Sequence, residues 1–250
     1  IMAEPSLNLG NGNWAVKSNN LLAYHKVVDN FYADELTFNR ASTGTRVNAD
    51  GLIEEAATNI ARVDYTNNAS GQLLLEPQRT NLITYSEDFS HSSWNKGQTN
   101  ITANDTTSPD GNNNADLAVG TSQSATGTYI RILSTTANVI GETYTLSTYV
   151  KPKGTSQFFK FWARDTDATQ VVFDLVNLTT DKPSISTIKD VGNGWIRVTT
   201  TGELLTGTVR PYFYTYYTAS EADGFYFWGA MLEEGSYPTS LIPTSGTTVT

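Results

Sequence analysis

The chain contains no cysteine and only two histidines, His25 and His91, in 250 residues. Disulfides, a thiolate nucleophile and thiolate zinc or iron–sulfur sites are therefore excluded, as is a zinc site built on three imidazoles. A serine–histidine–aspartate arrangement would have to use one of two histidines that lie in no nucleophile motif. Cations are scarce as well. Lys and Arg number 16 against 25 Asp and Glu, giving a net charge of −9, and they form no cluster. Affinity for nucleic acid comes from clustered cations that release counterions, so neither nucleic acid nor an anionic membrane is an expected partner. Long apolar runs are missing: Leu73-Leu74-Leu75 is typical of the longest, and the first six residues show no signal-peptide pattern. No glycine-rich loop of the kind that cradles phosphate occurs.

What is abundant points to strands. Thr, Ser, Asn and Gly fill the connections, charged residues are only 16%, and short aromatic or β-branched runs recur between turn signals. Strands are expected over 142–150, 158–164, 170–175, 195–201, 209–217 and 224–232. In the first of these, Tyr144, Leu146, Thr148 and Val150 share one face and small polar residues mostly occupy the other. The separators Pro152-Lys153-Gly154, Gly192-Asn193-Gly194 and Ala222-Asp223-Gly224 are turns, because Gly and Asn accept positive φ. Strands at this spacing predict an all-β fold, a jelly-roll β-sandwich.

The first eighty residues read differently. Leu21, Leu22, His25 and Val28 fit a helical stripe, as do Ile53, Ala56, Ala57 and Ile60, though both stretches are short and poorly capped. Asn48-Ala49-Asp50-Gly51 is a hairpin-type turn between Thr45–Val47 and Leu52-Ile53. The pattern predicts an irregular N-terminal collar or docking segment over 1–80 and the jelly roll over 81–250, divided near Glu76-Pro77-Gln78-Arg79-Thr80.

The stretch Asn81-Leu-Ile-Thr-Tyr-Ser-Glu-Asp-Phe-Ser90 with Trp94, the strand Tyr144–Lys151, Gly194-Trp-Ile-Arg-Val198 and Gly224–Gly235 resemble the galactose-binding-like jelly rolls of many carbohydrate-binding modules. A longer resemblance is carried by Phe38–Glu54, Leu74-Leu-Glu-Pro-Gln-Arg-Thr-Asn-Leu82, Ser108-Pro-Asp-Gly111, Val191-Gly-Asn-Gly-Trp195 and Gly235-Ser-Tyr-Pro-Thr-Ser-Leu-Ile-Pro-Thr244. These segments look like a structural protein family of tailed phages, similar to tail, fibre or capsid-surface components. In related proteins the Ile-Pro-Thr segment is commonly followed by further domains. The resemblance implies a place in the virion among other virion proteins, a symmetric homo-oligomer with a trimer favoured, and no catalytic residues.

Candidate ligand-binding residues follow from strand alternation. Arg210-Pro-Tyr-Phe-Tyr-Thr-Tyr-Tyr217 puts Tyr212, Tyr214 and Tyr216 on one face, and the candidate neighbouring strand offers Lys160, Trp162 and Arg164. Aromatic faces stack on the C–H faces of sugars and phenols bond their hydroxyls, so this surface suits a host-cell glycan. The competing reading is that these rings fill the sandwich or a subunit interface. Trp94, Trp195, Trp228 and Leu232 are expected in the core, with Trp228 and Leu232 on one face of the last strand.

The adjacent acids Glu54-Glu55, Glu87-Asp88 and Glu233-Glu234 point to opposite sides of any strand, so none is a glycosidase couple, and they read as solvated turns or strand ends. Glu87, Asp88 and Glu233 lie at the two chain ends of the jelly roll, where similar modules hold a structural calcium ion, so the resemblance allows one here. The run Asp110–Asp116 fails the EF-hand pattern, with Ala115 at the turn glycine and Thr121 at the twelfth position, and reads as a polar loop. The function these features favour is a non-enzymatic virion surface protein that binds glycan. Passive capsid decoration and a carbohydrate-binding module of a polysaccharide-degrading enzyme are the alternatives.

Overall fold

The computed structural model describes residues 15–17, 20–27, 30–36, 39–121, 128–133, 135–214 and 223–250, with backbone alone for the stretches before residue 39. The chain divides into two compact units, Ile1–Leu75 and Glu76–Thr250. Among the described residues every regular element is a strand, so the all-β expectation holds.

In the first unit, β1 (Ala15–Lys17), β2 (Asn20–Val27) and β3 (Asn30–Leu36) form an antiparallel sheet with β2 in the middle. β4 (Gly44–Val47) pairs with β5 (Ile53–Ala56), and β6 (Val63–Asp64) with β7 (Gln72–Leu73). Neither stretch with a helical stripe is a helix: Leu21, Leu22 and His25 lie in β2, Val28 lies outside the described residues, Ile53 and Ala56 lie in β5, and Ala57–Ile60 make a turn. Two uncapped turns do not repay helix nucleation. Pairing instead satisfies the backbone of β2 on both edges, Leu22 lying opposite Ala15 and Glu35. The turn from Asn48 to Gly51 sets the second register: the Asn48 N–H donates to the Leu52 carbonyl at 2.8 Å, and its side-chain oxygen accepts from the N–H groups of Asp50 and Leu52, both at 3.0 Å.

The second unit is a sandwich of two six-stranded antiparallel sheets. Its strands are β8 (Asn95–Gly97), β9 (Thr99–Thr106), β10 (Ala115–Gly120), β11 (Tyr129–Arg131), β12 (Thr143–Lys153) and β13 (Phe158–Arg164). They continue as β14 (Val171–Asp174), β15 (Thr179–Thr180), β16 (Ser186–Gly192), β17 (Trp195–Glu203), β18 (Arg210–Tyr214) and β19 (Gly224–Glu234). The first sheet runs β16-β17-β12-β19-β10-β9 and the second β15-β14-β13-β18-β11-β8. The chain crosses between sheets at most steps, so sequence neighbours such as β12 and β13, or β18 and β19, occupy matching places in the two orders. This is a jelly-roll-like winding.

Alternation puts every second residue of these strands inward. Phe159, Phe161, Phe173 and Phe213 from the second sheet meet Leu146, Val150, Val198, Phe225 and Phe227 from the first, all fully buried. Offset and edge-on ring pairs bridge the layers, Phe159 to Phe227 at 5.5 Å and Phe213 to Phe227 at 5.7 Å between centroids.

One expectation about the core needs correction. Trp94, Trp195, Trp228 and Leu232 are all buried, but Trp228 and Leu232 lie on opposite faces of β19. A bulge at Gly229, which has φ 62°, sets two residues against Thr148 and reverses the alternation. Phe225, Phe227, Ala230 and Leu232 therefore face inward, whereas Trp228, Met231 and Glu233 face outward.

That outward face is covered by the chain itself. Residues 236–244 cross it, held by Arg197 Nη2 donating to the Thr239 carbonyl at 2.6 Å and by Thr145 Oγ1 donating to the Gly235 carbonyl at 2.7 Å. The small polar face expected for β12 is accordingly buried, at Thr145, Ser147 and Tyr149. The stretch just before the sandwich locks the same tail. Glu76 accepts from Ser240 N at 2.8 Å and Ser240 Oγ at 2.7 Å, and Arg79 donates to the Glu234 carbonyl. Fully buried Asn81 donates to the carbonyls of Ala230 and Ile242 and accepts from the N–H groups of Ile83 and Leu232, at 2.8–3.1 Å. Residues 76–82 and 235–244, from two segments distinctive in the sequence, are thus the two halves of one clasp.

Candidate functional site

The outward face of the second sheet has no such cover from the tail. Its side chains come from the positions of β8, β11, β18 and β13 that alternate with the core phenylalanines. Cross-strand register builds two rows. Asn95, Arg131, Tyr212 and Trp162 stand opposite one another in the first, and Gly97, Tyr129, Tyr214 and Lys160 in the second. The strand over 158–164 is thus paired with the tyrosine strand, Trp162 directly opposite Tyr212.

Tyr212 sits at the centre. Its ring stacks on Tyr214 at 5.8 Å and meets Tyr129 at 5.5 Å and Trp162 at 6.0 Å. Two guanidinium groups lie over it, Arg131 at 5.1 Å and Arg164 at 5.6 Å from the ring centroid. Both donate to its hydroxyl, Arg164 Nη1 at 3.0 Å and Arg131 Nη1 more closely. Arg131 is fixed further by Nε donating to Asn95 Oδ1 at 3.1 Å.

These contacts leave Tyr212 and Tyr214 buried, at 3% and 5% exposure, so they support the surface. Trp162 and Tyr129 remain half-buried and display ring area outward. Trp162 is held by Nε1 donating to the Ala168 carbonyl at 2.8 Å, and Tyr214 by Gln170 Nε2 donating to its hydroxyl at 3.0 Å. Burial pushes the Tyr214 phenol above its ordinary range, so it stays a neutral hydrogen-bonding group. Tyr216 lies outside the described residues. Arg210 holds both carboxylate oxygens of Asp165 in the turn after β13, which raises its already high pKa further.

The arrangement is a shallow polar-aromatic surface with fixed donors: rings for the apolar face of a sugar, guanidinium and amide N–H groups for its oxygens. Tyr129, Arg131, Asn95 and Gln170 were not anticipated from sequence. Tyr129-Ile130-Arg131 does alternate around a buried Ile130, but a strand of three residues gives too little pattern to read.

The acids allotted to a calcium site do not converge. Glu233 is buried against Thr239, whose N–H donates to it at 3.1 Å, and it feels Arg197 and Glu76. Asp88 caps Ser90 and His91, both N–H groups at 3.0 Å. Glu87 has Asp110 as its acidic neighbour, and burial followed by that like charge pushes its carboxyl up to about 7. Asp110 itself accepts from Ser108, Asn112 and Asn114 within its own loop, and these bonds hold its pKa below the ordinary value despite burial. Among the described residues no group of three or more His, Asp or Glu could hold a metal ion, and no helix is long and apolar enough to cross a membrane.

No family model and no curated protein matches the chain. Among solved structures it is similar to the CBM22-1–GH10 modules of endo-1,4-β-D-xylanase 10B from Clostridium thermocellum, complexed with xylohexaose, at 16% identity and a TM-score of 0.37. The enzymatically active domain of tailspike protein 4 of bacteriophage CBA120 follows at 12% identity and a TM-score of 0.35. Each likeness covers 62% of this chain, but only 28% and 21% of the respective solved chains, so the chain spans less than a third of either. At these scores neither likeness bears on ligand or chemistry.

Proposed function

We propose that this protein is a non-enzymatic component of a phage virion surface, of the tail fibre or of a head fibre or capsid decoration, and that it binds a host-cell-surface glycan through the outward face of its second sheet. One observation carries the binding half: Trp162 and Tyr129 stand half-exposed beside the buried Tyr212 and Tyr214, with the half-exposed Arg131 and Arg164 hydrogen-bonded to the Tyr212 hydroxyl. Groups held that firmly cost little further ordering when a ligand arrives. The virion half is supported by the resemblance of segments 38–54, 74–82, 108–111, 191–195 and 235–244 to tailed-phage structural proteins.

The test of binding is a glycan array followed by titration of Trp162→Leu, which removes the π face but keeps apolar cover. Affinity is expected to fall about tenfold or more, the worth of a well-placed aromatic contact. Unchanged affinity in a variant that melts normally would sink the site, and turnover of a bound glycan would overturn the non-enzymatic half. Light scattering during size exclusion tests assembly: a trimer is expected. A monomer near 27.3 kDa would favour a binding module of a polysaccharide-degrading enzyme. A closed oligomer that binds no glycan would favour passive decoration.

A further inference from the structure

The outward face of the second sheet concentrates positive charge in a chain whose net charge is −9. Of the outward positions on β8, β11, β18 and β13, Arg131, Lys160, Arg164 and Arg210 are cationic and none is acidic. Among the described residues, Asp165 has both oxygens engaged by Arg210 and reaches Arg164 only at 4.0 Å, and Asp174, outward on the adjoining β14, accepts from the side-chain amides of Gln157 and Asn177. Arg131 has no carboxylate partner among the described residues: its contacts are Asn95, the Tyr212 hydroxyl and the rings of Tyr129 and Tyr212. A guanidinium carries five N–H donors in a planar fork, and Arg131 uses two of its hydrogen-bonding nitrogens on these partners. Arg131 and Arg164 thus flank one phenol with donor capacity to spare, and among the described residues Arg131 faces no counter-charge.

From this we infer that the ligand of this face is an acidic saccharide, whose carboxylate or sulfate ester is gripped between Arg131 and Arg164 while the sugar ring lies against Trp162 or Tyr129. The inference rests on the glycan-binding reading and adds the ligand's charge. Stacked guanidinium groups suit this task, because their charge is weakly hydrated and their fork matches a two-oxygen anion.

The experiment is calorimetric titration of the full chain with matched pairs: an oligogalacturonide and its carboxyl-reduced form, a sulfated galactan oligomer and its desulfated form, and a panel of neutral oligosaccharides. One charged member is expected to bind about tenfold or more tighter than its neutral twin, the worth of a charge-assisted hydrogen bond. Which pair shows the preference distinguishes carboxylate from sulfate. Arg131→Gln should abolish the preference, whereas Arg131→Lys, which keeps the charge and loses the fork, should restore part of it; melting curves establish that both variants fold. Equal binding of charged and neutral twins, or binding of neutral sugars alone, overturns the inference and leaves the glycan reading standing. Absence of binding to every charged and neutral sugar overturns both.

Discussion

The two outward faces of the sandwich are chemically alike and differ in what lies on them. Each carries aromatic rings with an arginine over one of them. On the first sheet Tyr149 and Trp228 meet at 5.4 Å with Arg197 at 5.3 Å from the Tyr149 centroid. On the second, Tyr212 and Trp162 meet at 6.0 Å with Arg131 at 5.1 Å from the Tyr212 centroid. Arg197 spends a donor on the Thr239 carbonyl, and the strap over 236–244 takes the place a ligand would need. Arg131 donates only sideways, to groups of its own sheet. An aromatic-arginine surface is therefore not in itself a binding site: it becomes a candidate where, among the described residues, no strap such as 236–244 lies on it.

Breaking the covered face should have the largest effect. Asn81→Ala removes four hydrogen bonds and leaves buried N–H and C=O groups of Ile83, Leu232, Ala230 and Ile242 without that partner. A loss of about 3 kcal/mol in urea unfolding is expected. A loss below about 1 kcal/mol would mean the clasp contributes little.

Gly235→Ala probes the same clasp from the backbone. Gly235 has φ 129°, and a Cβ there would lie 2.4 Å from the Arg79 guanidinium. A destabilisation of about 2 kcal/mol is expected from strain and displaced Arg79, read as a lower urea midpoint.

A smaller effect, specific to pH, separates the faces further. Burial raises the Glu233 carboxyl above its ordinary value of 4.5, outweighing its bonds to Thr239 and the charge of Arg197. A raised folded-state pKa means that the folded protein binds the proton more tightly than the unfolded chain does. The stabilisation is then complete below pH 4.5 and is lost as pH rises through the folded value. Glu233→Gln should unfold at higher urea than the parent at pH 8, with the difference vanishing below pH 4.5. A difference independent of pH would contradict this account.

The smallest change in stability is expected on the open face. Tyr212→Phe deletes the hydroxyl that Arg131 and Arg164 share but keeps the ring, and should cost about 1 kcal/mol in unfolding. Its effect should fall on affinity, because both guanidinium groups lose a positioning partner. A variant as unstable as Asn81→Ala, with affinity unchanged, would reverse the assignment of the two faces.

Local pattern carried far. Phe158–Arg164 alternates cleanly because one of its faces is core, and the hairpin at Asn48–Gly51 in the first unit is written in turn chemistry. The helical stripe at Leu21–Val28 misled, since short apolar spacings do not distinguish a helix from a strand until pairing partners are known. The bulge at Gly229 misled in another way: one extra residue exchanges inside for outside, and a glycine in a strand announces neither its place nor its direction. For the candidate site, Trp162, Arg164, Tyr212 and Tyr214 were legible as a cluster of suitable residue types. Arg131 and Tyr129 were not, because they reach Tyr212 from a strand about eighty positions away and only register brings them there.

The sequence by itself determined the strand class, the hairpin turn at Asn48–Gly51 and the alternating aromatic rows, because these depend on neighbours within a few residues; Pro152 and Lys153, read as part of a turn, instead end β12, and Ala222 lies outside the described residues. Tertiary structure alone decided that the strap over 236–244 lies on one of two similar faces and, among the described residues, not on the other, how low Tyr212 and Tyr214 sit, and that Glu87, Asp88 and Glu233 do not gather into one cluster. Those outcomes depend on where distant segments such as 76–86 and 233–250 come together, which spacing along a chain does not encode.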